Sequence, residues 1–140
     1  MTCFWDSLLS QLNSDDFVIM GFGPNPKPTS PAGLLSFFKT HNREPHNVSV
    51  NGSFLTQAQK TENVEWVRSY DAGGIGNGHL TGTCDPFLVL ACEVFRVAIR
   101  HSSSGSLPSG YNFDSVVVYS HNDHRRLVTF GSNAGHFYVK

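Results

Sequence analysis

The spacing of apolar residues changes along this chain, and that change limits the fold more than any other feature of the sequence. Phe4, Trp5, Leu8, Leu9 and Leu12 recur at the three-to-four-residue interval of one helix face, which predicts an amphipathic helix over residues 3–13. Ser30-Pro31 reads as an N-cap with proline at the first helical position, opening a short helix through Phe38. Its apolar face is expected to be Leu34, Leu35, Phe37 and Phe38. A third helix is expected from near Thr56 through Val64, Val67 and Tyr70. After Asp85-Pro86, a second cap-plus-proline start, Phe87, Leu88, Leu90, Ala91, Val94 and Phe95 make a helix apolar nearly all round, hence buried. Beyond it the pattern turns strand-like, in Val97-Ala98-Ile99-Arg100-His101, Val116-Val117-Val118-Tyr119, Leu127-Val128-Thr129-Phe130 and Gly135-His136-Phe137-Tyr138-Val139. The short connections 120–126 and 131–135 predict antiparallel pairing. The class is α+β, with helices flanking a small antiparallel sheet.

The remaining segments are less regular. Asp16 to Phe22 is a short apolar run that suits a buried turn or a short strand, and residues 23–32 hold four prolines and are expected to be a loop. Residues 40–54 are polar and irregular, and 102–114 read as a Ser- and Gly-rich loop. Gly73-Gly74-Ile75-Gly76-Asn77-Gly78 places four glycines in six residues, a stretch that no regular element tolerates cheaply. The 140 residues suit a single domain, 1–140, large enough for one real core.

Composition excludes several functions. Charged residues are 15% and the net charge is −1, so the basic face that nucleic acid requires is not expected. No run approaches the ~18 apolar residues of a membrane span. The opening MTCFWDSLL has no basic segment ahead of its apolar residues and does not read as a signal peptide. Cys3, Cys84 and Cys92 are too few for a disulfide framework, which favours a reducing, cytoplasmic setting. His79, Cys84 and Cys92 lack any metal-ligand spacing, and neither a metal nor a cofactor is expected. The glycine-rich stretch has no Gly-Lys-Ser/Thr ending, so it is not a phosphate loop, and no nucleophile-elbow pattern supports a serine hydrolase.

Two residues carry the chemistry that remains. Cys3 opens the first helix, where converging N–H groups and the helix dipole favour a thiolate. Such a thiolate becomes a useful nucleophile when a histidine can take and return its proton. Of the seven histidines, His136 stands next to a glycine at the start of a strand and ahead of Phe137-Tyr138, where packing would fix its ring for general-base work. His41, His46, His121 and His124 lie in polar loops and read most simply as solvated, His101 ends a strand, and His79 leaves the glycine-rich stretch.

In order along the chain these pieces resemble the ovarian-tumour (OTU) family of cysteine proteases. Thr2-Cys3-Phe4-Trp5-Asp6-Ser7-Leu8 is similar to the family's nucleophile motif. Gly73-Gly74-Ile75-Gly76, Leu88-Val89-Leu90-Ala91 and Val94-Phe95-Arg96-Val97-Ala98-Ile99 follow the family's sequence of turn, buried helix and aliphatic strand. Arg126-Leu127-Val128-Thr129-Phe130 and then Gly135-His136-Phe137-Tyr138 resemble its ending, and residues 14–60 carry none of the likeness. The compact span is closest to OTU domains of viral polyproteins.

The resemblance implies a papain-like cysteine protease fold and a deubiquitinating thiol isopeptidase. Cys3 would be the nucleophile and His136 the base. The partners implied are ubiquitin or a ubiquitin-like protein, polyubiquitin chains, and a viral polyprotein as a second substrate of the same site, in the host cytoplasm if the chain is viral. Gly73, Gly74, Gly76 and Gly135 would wall a narrow tunnel for a Gly-Gly tail. Two departures stand out. The family's Asp-Gly-x loop before the cysteine is absent ahead of Cys3. The position two residues after the histidine, often an acid or amide, is Tyr138, so Asn133 or Asp6 would orient the imidazole, or the site is a Cys-His dyad. Two alternatives remain open: an endopeptidase acting mainly on its own polyprotein, and an inactive module that binds ubiquitin or another partner.

Overall fold

The computed structural model describes residues 3–22, 27–71, 73, 81–106, 110, 112–133 and 136–140, with the side chains at 3, 81–84, 105–106, 112–114 and 136 outside that description. Among the described residues, five helices precede or interleave with six strands: α1 (Cys3–Gln11), α2 (Ser14–Ile19), α3 (Pro31–Thr40), β1 (Val48–Val50), β2 (Ser53–Phe54), α4 (Gln57–Ser69), α5 (Thr81–Phe95), β3 (Ala98–Ser106), β4 (Asn112–His121), β5 (Leu127–Asn133) and β6 (His136–Val139).

The helices form where local chemistry starts them. Of the stripe its spacing predicts, α1 buries Phe4, Trp5 and Leu8, Leu12 is buried just beyond its end, and Leu9 is only partly buried. Ser30 caps α3, its hydroxyl accepting from the Gly33 amide at 3.1 Å with Pro31 in the first turn. Thr56 and Gln59 form a reciprocal capping box on α4. Lys39 of α3 then donates to the carbonyls of Arg68 and Tyr70 at the C-terminus of α4, where a cation suits the helix dipole.

Three local expectations are corrected. Residues 14–19 form a helix rather than a turn or strand. Asn13 and Asp16 build a capping box there, with Asp16 N to Asn13 Oδ1 at 3.1 Å and Asn13 N to Asp16 Oδ2 at 2.9 Å. α5 begins at Thr81, a turn before the expected start at Asp85, and carries Pro86 within it. The irregular segment 40–54 contains the β1–β2 hairpin. Asn51 and Gly52 adopt φ of 51° and 85° at its turn, the two successive left-handed residues that a type I′ turn requires.

The larger correction concerns the sheet. Its order is β2-β1-β4-β3-β5-β6, and it is mixed rather than antiparallel because β3 and β5 run parallel. Residues 102–106 and 112–114, expected in a loop, extend β3 and β4 into one long hairpin, paired from Ala98↔Ser120 to Ser106↔Asn112. The connection 122–126 crosses the end of β3 instead of folding β5 back on β4. It is held by Arg125 N to Arg96 O (2.7 Å), Ala98 N to Arg126 O (2.9 Å) and an Arg96–Asp123 ion pair at 2.7 Å.

Asp16 fixes the same crossing to α2. Its carboxylate is 2% exposed. It meets Arg125 Nη2 at 3.0 Å, Arg126 Nε at 3.2 Å and Arg126 Nη2 at 2.7 Å. Burial would raise this carboxyl, but the hydrogen bonds from the two guanidiniums and the Asn13 amide outweigh it and hold it below its ordinary value. The helices cover one face of the sheet over an aromatic core in which Phe17, Phe37 and Phe95 pack at ring distances of 4.9–5.7 Å.

Candidate active site

Cys3 is the first residue of α1 and His136 the first of β6, and these two elements pack against each other. The residues that follow each of them meet directly. The rings of Phe4 and Phe137 lie edge to face at 5.0 Å, and both are 1% exposed. One turn further along α1, Ser7 Oγ donates to the Phe137 carbonyl at 3.4 Å. The two ends of the chain are therefore joined through the core, with the start of α1 against the start of β6.

A ladder of rings backs this junction. Phe4 packs on Trp5 at 5.3 Å, and Trp5 on Phe87 at 4.8 Å and on Tyr70 at 5.9 Å. Phe137 lies 5.0 Å from Phe130 and 5.1 Å from His101. Aromatic pairs of this kind add about 0.5–1.5 kcal/mol each beyond burial, so the junction is stiff.

Of the expected orienting residues, Asn133 ends β5 directly opposite His136 in the antiparallel register. It is exposed. Asp6 is also exposed and sits in the first turn of α1, three residues beyond Cys3. Tyr138 pairs with Gly131, one register step from Ser132↔Phe137. The Gly131 backbone has no room for more: a Cβ there would lie 2.5 Å from the Tyr138 ring.

Gly73 is exposed, and its amide donates to Asp71 Oδ1 at 2.9 Å, closing a small turn just after α4. Tyr70 ties that end of α4 to the α1 aromatics through Trp5. Gly74, Gly76 and Gly135 lie outside the described residues, as do the side chains of Cys3 and His136. Among the metal candidates, Cys92 is walled into α5 with its thiol donating to the Tyr119 carbonyl at 3.7 Å, and burial pushes that thiol far up. His79 and the Cys84 side chain lie outside the described residues, among which no metal-binding group of His, Cys, Asp or Glu occurs.

His101 is the residue that sequence reasoning undervalued. The sequence places it at the end of a strand, but it lies within β3 and is buried. Its Nε2 is 2.7 Å from Ser132 Oγ and its ring faces Phe137. Burial lowers its pKa and favours the neutral ring. It thus braces Ser132, the neighbour of Asn133, and Phe137, the neighbour of His136. The alternation Val97, Ile99, His101 already put it on the inward face of a strand. No protein-family model, curated protein or solved structure matches this chain. Among the described residues no helix is long and apolar enough to cross a membrane.

Proposed function

We propose that this protein is an OTU-like thiol isopeptidase in which Cys3 is the nucleophile and His136 the proton carrier. The observation that supports the reading best is the packing of the start of α1 on the start of β6, through Phe4 and Phe137. A cysteine at a helix N-terminus and a histidine opening the adjoining strand are the pair that nucleophilic acyl transfer needs.

In the proposed reaction His136 takes the Cys3 proton, and the thiolate attacks the carbonyl carbon at the end of a ubiquitin-type tail. The tetrahedral oxyanion collapses, the carbon–nitrogen bond breaks, and His136 returns the proton to the leaving lysine amine. Water then attacks the thioester with His136 again as base, releasing the carboxylate and restoring the thiol. Backbone amides at the start of α1 are the available oxyanion donors, each typically worth ~3 kcal/mol.

Register favours Asn133 over Asp6 as the orienting group. Directly opposed residues of an antiparallel pair have Cβ atoms about 4.5–5.5 Å apart, within reach of an amide and a ring. The glycines at 73, 74, 76 and 135 are assigned to tunnel walls that pass only a tail without side chains.

The test is hydrolysis of a ubiquitin–fluorophore conjugate, with covalent capture by a ubiquitin propargylamide probe. Wild type should turn over and form the adduct, while Cys3→Ala and His136→Ala should each lose at least about a thousandfold in rate. Undiminished turnover by Cys3→Ala ends the reading. Ubiquitin binding without an adduct assigns the chain to an inactive module. Cleavage of its own precursor without ubiquitin turnover assigns it to a polyprotein endopeptidase.

A further inference from the structure

A second site lies at the other side of the sheet. β1, β4, α4 and α5 enclose a pocket of ≈ 450 Å³. Its floor is unusual. Asp85 of α5 lies beside the Tyr119 hydroxyl, and its Oδ1 is buried with no hydrogen-bond partner. The other buried carboxylates among the described residues, Glu93 and Asp16, are not left in this condition. Glu93 is bonded by Asn47 N at 2.9 Å and Asn47 Nδ2 at 3.0 Å, with Arg43 beside it at 3.7 Å. Asp16 is bonded by two arginines. A buried acceptor left without a donor costs about 1–3 kcal/mol, more when it is charged.

The rest of the lining indicates what would complete it. Among the described residues, the charged ones around the pocket are Asp85 and Glu62, both anionic, and no lysine, arginine or histidine lines it. Trp66, 40% exposed, forms one wall, and Leu55, Val89 and Val117 form the apolar sides. Asn51, Gln59 and Asn63 complete the lining, with the Asn51 and Gln59 amide oxygens held by the Val118 and Thr56 amides. A carboxylate below an aromatic face, reached between aliphatic walls, suits a cation on a slender alkyl stem. A guanidinium suits it best, because it is planar, weakly hydrated and stacks on aromatic rings.

We propose that this pocket binds an alkylguanidinium group, of the kind an arginine side chain carries, with Asp85 as its anionic anchor and Trp66 as its stacking wall. β4 and β6 are separated by β3 and β5, so at ~4.8 Å per strand the site is roughly 14 Å across the sheet from the start of β6. It is separate from the Cys3–His136 junction, and it stands or falls independently of the isopeptidase reading. Burial pushes the Asp85 carboxyl up to about 6, against the pull of the nearby Tyr119 hydroxyl, so the anchor is ionised at neutral pH but at a cost that a bound cation would relieve.

The test is an NMR titration of the full chain with N-acetyl-arginine methylamide, with the uncharged N-acetyl-citrulline methylamide as isostere. The expected result is saturable shifts in the Trp66 indole and in the amides around Asp85 and Tyr119 with the arginine compound, and none with citrulline. Asp85→Asn, checked for native fold by circular dichroism, should weaken binding by ~10-fold or more, and Trp66→Ala by several-fold. Equal binding of citrulline, undiminished affinity in Asp85→Asn, or no response to arginine at tens of millimolar would each overturn the proposal. A parallel titration compares butylguanidinium with an arginine-centred pentapeptide. Tighter peptide binding assigns the site to a protein side chain and equal binding to a free small cation, and either result upholds the cation site.

Discussion

Replacing Asp85 with asparagine should make the protein more stable at neutral pH, although the substitution removes a charge from a conspicuous position. The Asp85 carboxyl titrates near 6, against an ordinary 3.8. Each tenfold change in that equilibrium is worth about 1.4 kcal/mol, so ionising this group inside the fold is roughly 3 kcal/mol harder than in the unfolded chain. Partial solvent contact at the pocket mouth screens the charge and reduces the expected figure to about 2 kcal/mol. Asparagine is neutral, nearly the same shape, and keeps an oxygen for the Tyr119 hydroxyl. The sign follows from linkage. The fold holds the Asp85 proton more tightly than the unfolded chain does, so the penalty is absent below 3.8, grows between 3.8 and 6, and is complete above 6. His101 and His121 are both lowered by burial and also bend the pH profile of the wild type, so the difference between the two proteins isolates Asp85. Urea unfolding near pH 8 and near pH 4 measures it, with an unchanged m-value showing that the unfolded states are comparable. The variant should be more stable by about 2 kcal/mol at the higher pH and close to equal at the lower. An Asp85→Asn protein that gains nothing near pH 8, or keeps the same advantage at both values, would refute the reasoning.

Four further outcomes are expected. Asp16→Ala removes the anion between Arg125 and Arg126 and half of the α2 capping box, and should lower unfolding free energy by about 3–5 kcal/mol in urea titration. The wild type should likewise lose the contribution of Asp16 as pH falls below 3.8, because that carboxyl is held below its ordinary value. Ser132→Ala deletes the bond to His101 Nε2 and should cost about 1–3 kcal/mol, read as a lowered Tm. Gly131→Ala drives a methyl into the Tyr138 ring and should cost about 1–3 kcal/mol, with Tyr138→Val restoring part of the loss in the double variant.

The helices were legible wherever a period of 3.6 coincided with a cap, as at Ser30-Pro31 and Thr56, because capping chemistry and an apolar stripe are both local. α2 was missed because its six residues are too few to show a period, and its signal was the reciprocal pair Asn13 and Asp16. The β3–β4 hairpin escaped because Ser102, Ser103, Ser104 and Gly105 carry no strand preference. Their pairing is supplied by backbone groups that every residue possesses. The parallel β3–β5 pair was illegible for a different reason. A short connection normally folds a strand back on its neighbour, and only tertiary anchors, chiefly Asp16 on Arg125 and Arg126, carry 122–126 across the end of β3. The placement of Cys3 and His136 on elements that touch was suggested by order along the chain. The bracing role of His101 needed coordinates, since its partner Ser132 lies on another strand.

The buried carboxylates of Asp16 and Glu93 and the partly buried one of Asp85 divide by what completes them. Asp16 and Glu93 have charged or amide donors supplied by the chain itself, and each ties together segments distant in sequence: α2 to the strand crossing, and α5 to the start of β1. Their value is structural, and removing either should cost stability. Asp85 lies beside Tyr119 and keeps an oxygen buried without a hydrogen-bond partner, in the lining of a pocket with no lysine, arginine or histidine among the described residues. A fold that fully satisfies two such groups has the means to satisfy a third, and an asparagine or leucine in that place would remove the cost altogether. A carboxylate retained at a loss of folding energy is the pattern of a binding or reacting group rather than a scaffold group. The same reasoning separates the two proposed sites physically. The α1–β6 junction is stiffened by interlocked rings and should gain stability from every native residue around it. The Asp85 pocket should be the one place in the described structure where substitution toward neutrality stabilises the protein while binding is lost.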